Sequence, residues 1–428
     1  GSILFRIHLA FRSPEVHFVK NILFLLDYYQ ENNSANGVCC RNVAECLAKK
    51  EYGVFVGCYR PLQAPAEQMQ NGVHVIKTWT MPDGPVHKTL KGKISVYLRW
   101  LVPFSRRPAA AVRSREEAIY RSACRIIEDH GIDTVVCVHL PSETLLAGCR
   151  IKERYPQVCV CAYQLDTLSG GNLPRFLPQG YARERRIAWE RQMFRSMDRV
   201  ILMQSSRKHH LRYTPHEAWR NKAVYADVPL FVPSANATVC RHRQDGEVRI
   251  SFAGTLSEGL RTPYHILEVL NRVKKYSVHV IFAGANDCRR KNYEIYSSLK
   301  VTELGLVEHE QALNLLNNAD VLLSIGAKNT ALLSGKIFEY MALGKPILET
   351  FWDEEDVTLP YLAKYPLALE LDERTSDLDG QAASVEAFLD RCLDSHMDVS
   401  RLCMLFRENT PAYFEELFTA PILCKEDK

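Results

Sequence analysis

Two segments carry residue types whose spacing could do chemistry on a phosphate ester. In LLSGKIFEYMALGKPIL (Leu332 to Leu348), Ser334 and Gly335 stand just ahead of a helical pattern, Glu339 follows one turn in, and Gly344 and Pro346 end it. Free N–H groups at a helix start attract an anion, and Lys336 adds a mobile positive charge beside them. The Glu339 carboxylate can accept hydrogen bonds from both hydroxyls of a ribose, a familiar role for an acidic residue in nucleotide sites. A capped amphipathic helix with Lys336 and Glu339 in solvent gives the same local pattern. In FAGTLSEGLRTP (Phe252 to Pro263) a strand runs into Gly254, where a missing Cβ lets a ligand approach the backbone. Arg261 follows, and its guanidinium can take two phosphate oxygens at once. A loop glycine and a surface arginine are the plain alternative. Both segments follow strands of the same half of the chain, so they can converge on one diphosphate.

The elements that must position these residues alternate strand and helix. NILFLL (Asn21 to Leu26) is a continuous apolar run, as in a strand buried on both faces. A polar loop over 27–37, a helix over 38–50 and a strand over 53–59 complete a βαβ unit. Further strands are expected at 73–79, 134–140, 158–163 and 199–204. Helices are expected at 116–130 and 184–197, with another capped by Ser142. Pro229, Pro233, Ser234, Asn236 and Gly246 mark an irregular connection. Beyond it come strands at 248–254, 278–284, 300–306, 321–326 and 346–350, with helices at 263–275, 310–318 and 335–343. The expected fold class is α/β: two Rossmann-like doubly wound parallel-sheet domains facing across a ligand cleft. The expected boundaries are an arm or cloning remnant over 1–18, an acceptor-binding domain over 19–232, a donor-binding domain over 233–404, and a helix over 405–428 crossing back to the first domain.

Bulk properties exclude several classes. The 428 residues exceed one ordinary core and suggest two domains. A net charge of +4 is small for this length and argues against a nucleic-acid binder. The 14 cysteines include no C-x-x-C pair, so they read as reduced core cysteines of a cytosolic protein rather than a zinc or redox motif. No apolar run is long enough to span a bilayer. KISVYLRWLVPFSRR (Lys93 to Arg107) mixes aromatics with Lys93, Arg99, Arg106 and Arg107. It suits either an anionic membrane surface or a buried helix with basic ends. No G-x-G-x-x-G follows the first strand, which disfavours an NAD enzyme. Asp320 and 353–356 read as helix-end and loop acids rather than a metal-holding pair, so neither a metal nor another cofactor is expected.

From about Lys20 onward the chain resembles the retaining glycosyltransferases of the GT-B fold, most closely the large family four. FAGTLSEGLRTP is similar to that family's strand-G-x-L-x-x-x-x-R-x-P motif, and SGKIFEYMALGKPIL to its P-S-K-L-F-E-Y-M-A-L-G-K-P-I motif. VEHEQALNLLNNADVLL (Val307 to Leu323) resembles the region whose loop contacts the nucleobase. The resemblance is specific as a set over the C-terminal half. In the N-terminal half only strand order, the NSANG loop and YQLD (Tyr163 to Asp166) carry it. It implies that Glu339 holds the donor ribose, that Arg261 binds the diphosphate, and that Ser334, Gly335 and Lys336 face the phosphates. Gly254, Thr255 and Ile337 would line the donor site, with Val307 near the base. Two departures stand out. The first glutamate of the family's E-x7-E element falls on Ala331, and a lysine that many members carry falls on Ile266. Members with the P-S-K-L-F-E variant often lack the first glutamate too.

The resemblance implies transfer of a sugar from a UDP- or GDP-linked donor to a saccharide or lipid-linked saccharide, in bacterial surface-polysaccharide assembly. The setting would be cytoplasmic, at the inner face of a membrane contacted through 93–107. Arg261, Lys336 and the helix start would stabilise the departing nucleoside diphosphate, with Glu339 as the third residue of the reacting set. Asn36, Gly37, His139 and Asp166 are candidate acceptor residues. For each of them a turn, loop or core role fits as well. A nucleotide-sugar epimerase and a non-catalytic binding relative are the alternatives, and Ala331 favours the latter.

Overall fold

The computed structural model describes residues 21–29, 34–61, 64–79, 90–101, 107–171, 173–174, 176–233, 246–289, 292–328, 333 and 335–419. The chain divides into two units, Gly1–Pro229 with Pro411–Lys428, and Leu230–Thr410. The first contains β1 (Asn21–Leu25), α1 (Ala35–Ala48), β2 (Gly53–Tyr59), β3 (Glu67–Gln70), β4 (Val73–Trp79), α2 (Leu90–Leu101), α3 (Arg113–His130), β5 (Thr134–His139), α4 (Ser142–Arg154), β6 (Cys159–Gln164), α5 (Gln179–Arg195), β7 (Arg199–Met203), α6 (Arg207–Tyr213) and β8 (Ala223–Ala226). The second contains β9 (Glu247–Ala253), α7 (Tyr264–Leu270), β10 (Ser277–Ala283), β11 (Leu299–Glu303), α8 (His309–Asn318), β12 (Val321–Ile325), α9 (Lys336–Ala342), β13 (Ile347–Phe351), α10 (Leu359–Leu362), β14 (Ala368–Asp372), α11 (Leu378–Cys392) and α12 (Val399–Leu405). The chain's last described helix, α13 (Pro411–Thr419), lies in the first unit.

The sheet of the first unit runs β3-β4-β2-β1-β5-β6-β7-β8, parallel throughout except for β3. The apolar run in β1 has the cause the sequence implies. Leu23 and Leu25 join one core cluster, Ile22 and Phe24 the cluster on the opposite face, and all four are fully buried. The second face is closed by α1 and α13, where Phe418 packs edge-on against Phe24 and Phe414 lies against Tyr163.

Several elements differ from the sequence expectation. The first helix starts at Ala35, so Asn36 and Gly37 form its first turn rather than a loop. Ser34 caps it by accepting from Gly37 N–H at 3.0 Å. Ser142 is the first residue of α4 and gives no cap bond. The sheet has eight strands, not six. The polar strand β3 (EQMQ) pairs on one side only, so no apolar face marks it in the sequence.

The second sheet is wholly parallel, in the order β11-β10-β9-β12-β13-β14. Here the missed strand is again at an edge, β14, whose residues are mostly half-exposed. At the carboxyl ends, Gly254 N–H donates to Ala283 O at 2.8 Å and Gly284 N–H to Gly305 O at 2.7 Å. Gly284 has φ +129, and a Cβ there would lie 1.9 Å from the Gly254 carbonyl oxygen. Gly284→Ala should therefore destabilise the protein by more than about 2 kcal/mol. Gly180→Ala, where a Cβ meets nothing within 4 Å, is the control and should be neutral or slightly stabilising. Urea unfolding of both variants checks this.

Candidate functional site

The strand order of the second unit reverses at β9. From there β10 and β11 lie to one side and β12 to β14 to the other. Ligands of open α/β sheets bind at such a switch point, outside the carboxyl ends of the strands. The two strands separate there. β9 pairs with β12 only at Ile250 and Ser251, while its pairing with β10 continues to Ala253. Ala253 therefore has a backbone N–H and C=O with no ladder partner on the β12 side. Both are taken up by α9. Ala253 N–H donates to the Tyr340 hydroxyl at 3.1 Å, and the Lys336 ammonium donates to Ala253 O at 2.6 Å. Two side chains thus bond the start of α9 to the end of β9.

The loop after β9 folds back on itself. Ser257 and Arg261 exchange backbone hydrogen bonds at 2.8 Å in each direction, around Gly259 at φ +80. Asp287, in the loop after β10, fixes the tip by accepting from Glu258 N–H at 2.7 Å and the Ser257 hydroxyl at 3.2 Å. Lys328 N–H, beyond β12, donates to Leu260 O at 2.8 Å. So the loops after three strands hold Arg261. Its Nε is buried and has no hydrogen-bond partner among the described residues. A cationic N–H kept from both water and protein is costly, and such an orphan calls for a partner.

The electrostatics of this corner favour an anion. Lys336 as a whole is exposed, but its ammonium end is turned in toward Ala253. Burial lowers its pKa, Glu339 raises it, and the nearby positive Arg261 lowers it. Glu339 is exposed in the first turn of α9. Beneath them Glu349, on β13, is 2% exposed, and its Oε2 has no hydrogen-bond partner among the described residues. Burial pushes its pKa up to about 8 against the pull of Ser324 and Arg261. At neutral pH it stays protonated and does not neutralise Arg261. The helix itself adds little to this field, because α9 has only seven residues.

The structure brings together Gly254, Arg261, Lys336 and Glu339, with Gly335 at the cap position of α9. Thr255 is exposed beside Gly254. Ile337 is fully buried, so only its backbone remains for a ligand. Val307 is half-buried ahead of α8, two residues past the Gly305 carbonyl that holds Gly284. Ser334 and Ala331 lie outside the described residues. The sequence reading made Lys336 a mobile charge, whereas here it is pinned to the strand. It missed Tyr340, Asp287 and Glu349. Glu349 had a signal, as the one charged residue in the strand segment PILET.

In the first unit the named residues serve the fold. Asn36 is buried and its Nδ2 donates to Leu140 O at 3.3 Å. A Cβ on Gly37 would lie 2.8 Å from Tyr28 O, so glycine is needed for close packing. His139 is buried, with Nδ1 at 2.9 Å from Asp166 O and Nε2 at 3.3 Å from the Ser142 hydroxyl. Burial lowers its pKa to about 4, so it is neutral. The Asp166 side chain is exposed.

The buried carboxyl gives a signed prediction. An unfolded chain releases the Glu349 proton near pH 4.5, whereas the folded protein keeps it to about pH 8. Between those values the folded state binds the extra proton, so wild-type stability falls as pH rises, by at most ~1.4 kcal/mol per pH unit from this group. Glu349→Gln lacks this loss. Its melting temperature should gain on wild type from pH 5 to 8 and hold that gain above. A constant difference across the range would show that Glu349 ionises normally.

No protein-family model matches the chain, and no curated protein does. Solved structures do. The lipopolysaccharide outer core galactosyltransferase WaaB superposes with a TM-score of 0.52 at 12% identity, over 92% of this chain and 98% of that one. The structure described as "Trehalose-6-phosphate from E. coli bound with UDP-2-fluoro glucose" gives 0.53 at 10% identity, over 96% and 100%. An alpha,alpha-trehalose-phosphate synthase (UDP-forming) from Burkholderia vietnamiensis gives 0.53 at 11%, over 94% and 96%. At such identities the likeness is one of fold. This chain is similar to all three in that respect, with two Rossmann-like parallel-sheet units in the GT-B glycosyltransferase arrangement of strands.

Proposed function

We propose that the protein is a retaining glycosyltransferase that moves a sugar from a UDP- or GDP-linked donor to a saccharide or lipid-linked saccharide. One observation carries the reading. At the switch point of the second sheet, the Lys336 ammonium is drawn in to Ala253 O, burial and then Arg261 lower its pKa, and Arg261 keeps a buried Nε with no hydrogen-bond partner among the described residues. A diphosphate supplies the missing negative charge. As the sugar leaves, charge grows on that diphosphate, and prearranged cations stabilise it without reorganising. Binding could release Lys336 from Ala253 O toward a phosphate oxygen. Glu339, one helical turn on, suits the ribose hydroxyls. The reading needs no metal, because the two side chains supply the positive charge. Retention, family four and bacterial surface-polysaccharide assembly draw support from the two sequence motifs alone. The acceptor is assigned to the first unit, with exposed Asp166 the one sequence-named side chain there left open to it.

The proposed setting is cytoplasmic, against the inner face of a membrane. No described helix is long and apolar enough to cross one. Support for contact comes from α2, where Ile94, Tyr97, Leu98 and Leu101 are exposed, and Tyr97 meets exposed Phe176 with ring centroids 5.0 Å apart. Arg99, from the same stretch, donates to Ala109 O and Ala111 O, and Arg107 pairs with Glu116. Arg106 lies outside the described residues. The apolar side chains therefore carry this contact more than the cations do.

Two measurements test these readings. Thermal shifts with UDP, GDP, ADP and dTDP should single out one base. Arg261→Ala and Glu339→Ala should each weaken that nucleotide by about tenfold or more, the scale of a lost charge-assisted hydrogen bond. No shift with any nucleotide would sink the donor site and favour a non-catalytic protein. Cosedimentation with vesicles of equal phosphatidylglycerol and phosphatidylcholine should capture the wild type but not Ile94→Asp/Leu98→Asp. A wild type left in the supernatant would remove the membrane contact.

A further inference from the structure

In the first unit, several cations lie on and around one short helix. Elsewhere arginines commonly meet carboxylates, as in Arg150–Glu117 at 2.7 Å, Arg154–Glu128 at 2.8 Å and Arg191–Glu217 at 2.6 Å. Around α6, whose sequence is RKHHLRY, Arg183, Arg207, Lys208 and Arg212 have no carboxylate partner among the described residues. Three of the four lie over tyrosine rings instead. The Arg183 guanidinium is 4.2 Å and that of Arg212 5.1 Å from the Tyr213 ring centroid, and that of Arg207 is 5.6 Å from the Tyr225 centroid. Stacking restrains a guanidinium while leaving its N–H edge able to bind. Two guanidiniums on one tyrosine repel each other, and an anion between them would relieve this. The field is felt by neighbours. After burial, Arg183 is the next cause lowering the His209 pKa, and Arg220 contributes to the lowering at His210.

The cluster stands on a rigid base. His209 Nε2 lies 2.9 Å from the Ser169 hydroxyl, which donates to Glu190 Oε2 at 2.6 Å. Arg186 Nη1 donates to Leu168 O at 2.9 Å. These bonds tie α5 and α6 to the loop after β6. Glu190 is fully buried, and its carboxyl also accepts from Ser169 N–H at 2.9 Å and Gln164 Nε2 at 3.2 Å, so it is committed to this base. Arg183 lies in the second turn of α5, and α6 follows the turn after β7, so both stand at the carboxyl edge of the sheet, where ligands bind.

We infer that Arg183, Arg207, Lys208 and Arg212 form a binding site for the phosphate group of a phosphorylated sugar. Several guanidinium forks suit a dianion with three free oxygens better than a carboxylate. A membrane surface fits less well. In α6 only Leu211 is an exposed large apolar residue, and the apolar patch of α2 lies across α5, which turns Tyr181 toward Trp100 and Arg183 toward Tyr213. Naming that sugar the acceptor rests on the glycosyltransferase reading. The anion site itself does not.

The test is calorimetric titration of the full chain with glucose 6-phosphate, glucose and inorganic phosphate. Glucose 6-phosphate should bind at least tenfold tighter than glucose, and inorganic phosphate should compete with it. Arg207→Gln/Arg212→Gln, two exposed positions, should reduce glucose 6-phosphate affinity at least tenfold and leave the melting temperature and any nucleotide-induced shift unchanged. Glucose 6-phosphate that binds no tighter than glucose, or equally well to the double variant, overturns the site. So does a variant that binds glucose 6-phosphate normally but no longer sediments with anionic vesicles, since the cluster would then face lipid. Loss of the nucleotide shift in the wild type would count against the donor site alone.

Discussion

Ala253 loses its ladder partner where β9 and β12 part, and the arrangement of the second unit's site follows from how that loss is made good. A buried N–H or C=O left without a partner is among the costlier defects in a protein interior. Here the two groups are met by Tyr340 and Lys336, four residues apart on one face of α9 and spaced to reach the same strand residue. That double bond fixes where α9 begins relative to the end of β9. It also draws an ammonium under the strand end, toward Arg261, where charge repulsion would otherwise keep it away.

A consequence is that the site stores electrostatic energy. The Arg261 backbone is held by bonds within its own loop and by the loops after β10 and β12, and its buried Nε has no hydrogen-bond partner among the described residues. Glu349 could neutralise it only by ionising in an apolar setting, and burial prevents that at neutral pH. The result is positive potential fixed in advance by packing. This is the form of preorganisation that acts on charge developing in a transition state rather than on a neutral ground state.

The strands buried on both faces were legible because their sequences are continuous apolar runs, as in β1, β5 and β12. Of the edges, β11 was legible, but β3 and β14 were not: each pairs on one side only, and its sequence needs no apolar face. The site was legible where function demands a rare residue in a loop, as at Gly254 and Arg261. It was illegible where the chemistry depends on distance. Nothing in the order of residues shows that Tyr340 meets a backbone amide 87 positions away, or that Lys336 spends its charge on a carbonyl. Gly37 shows the opposite error. Its glycine suggests a turn or a ligand, yet it is there because the first turn of α1 passes within 2.8 Å, measured from an added Cβ, of the Tyr28 carbonyl.

The two units share a reversal of strand order, between β1 and β5 in one and between β9 and β12 in the other, yet the two positions differ in chemistry. At the first, the polar side chains are consumed. Asn36 bonds Leu140 O, His139 bonds Asp166 O and lies by Ser142, and burial keeps the imidazole uncharged. At the second, backbone groups are satisfied while a guanidinium N–H is not. The same topology therefore presents bonded Asn36 and His139 at one switch point and the unbonded Arg261 Nε at the other. In the first unit the unpaired cations lie instead on α5 and α6, further along the sheet edge.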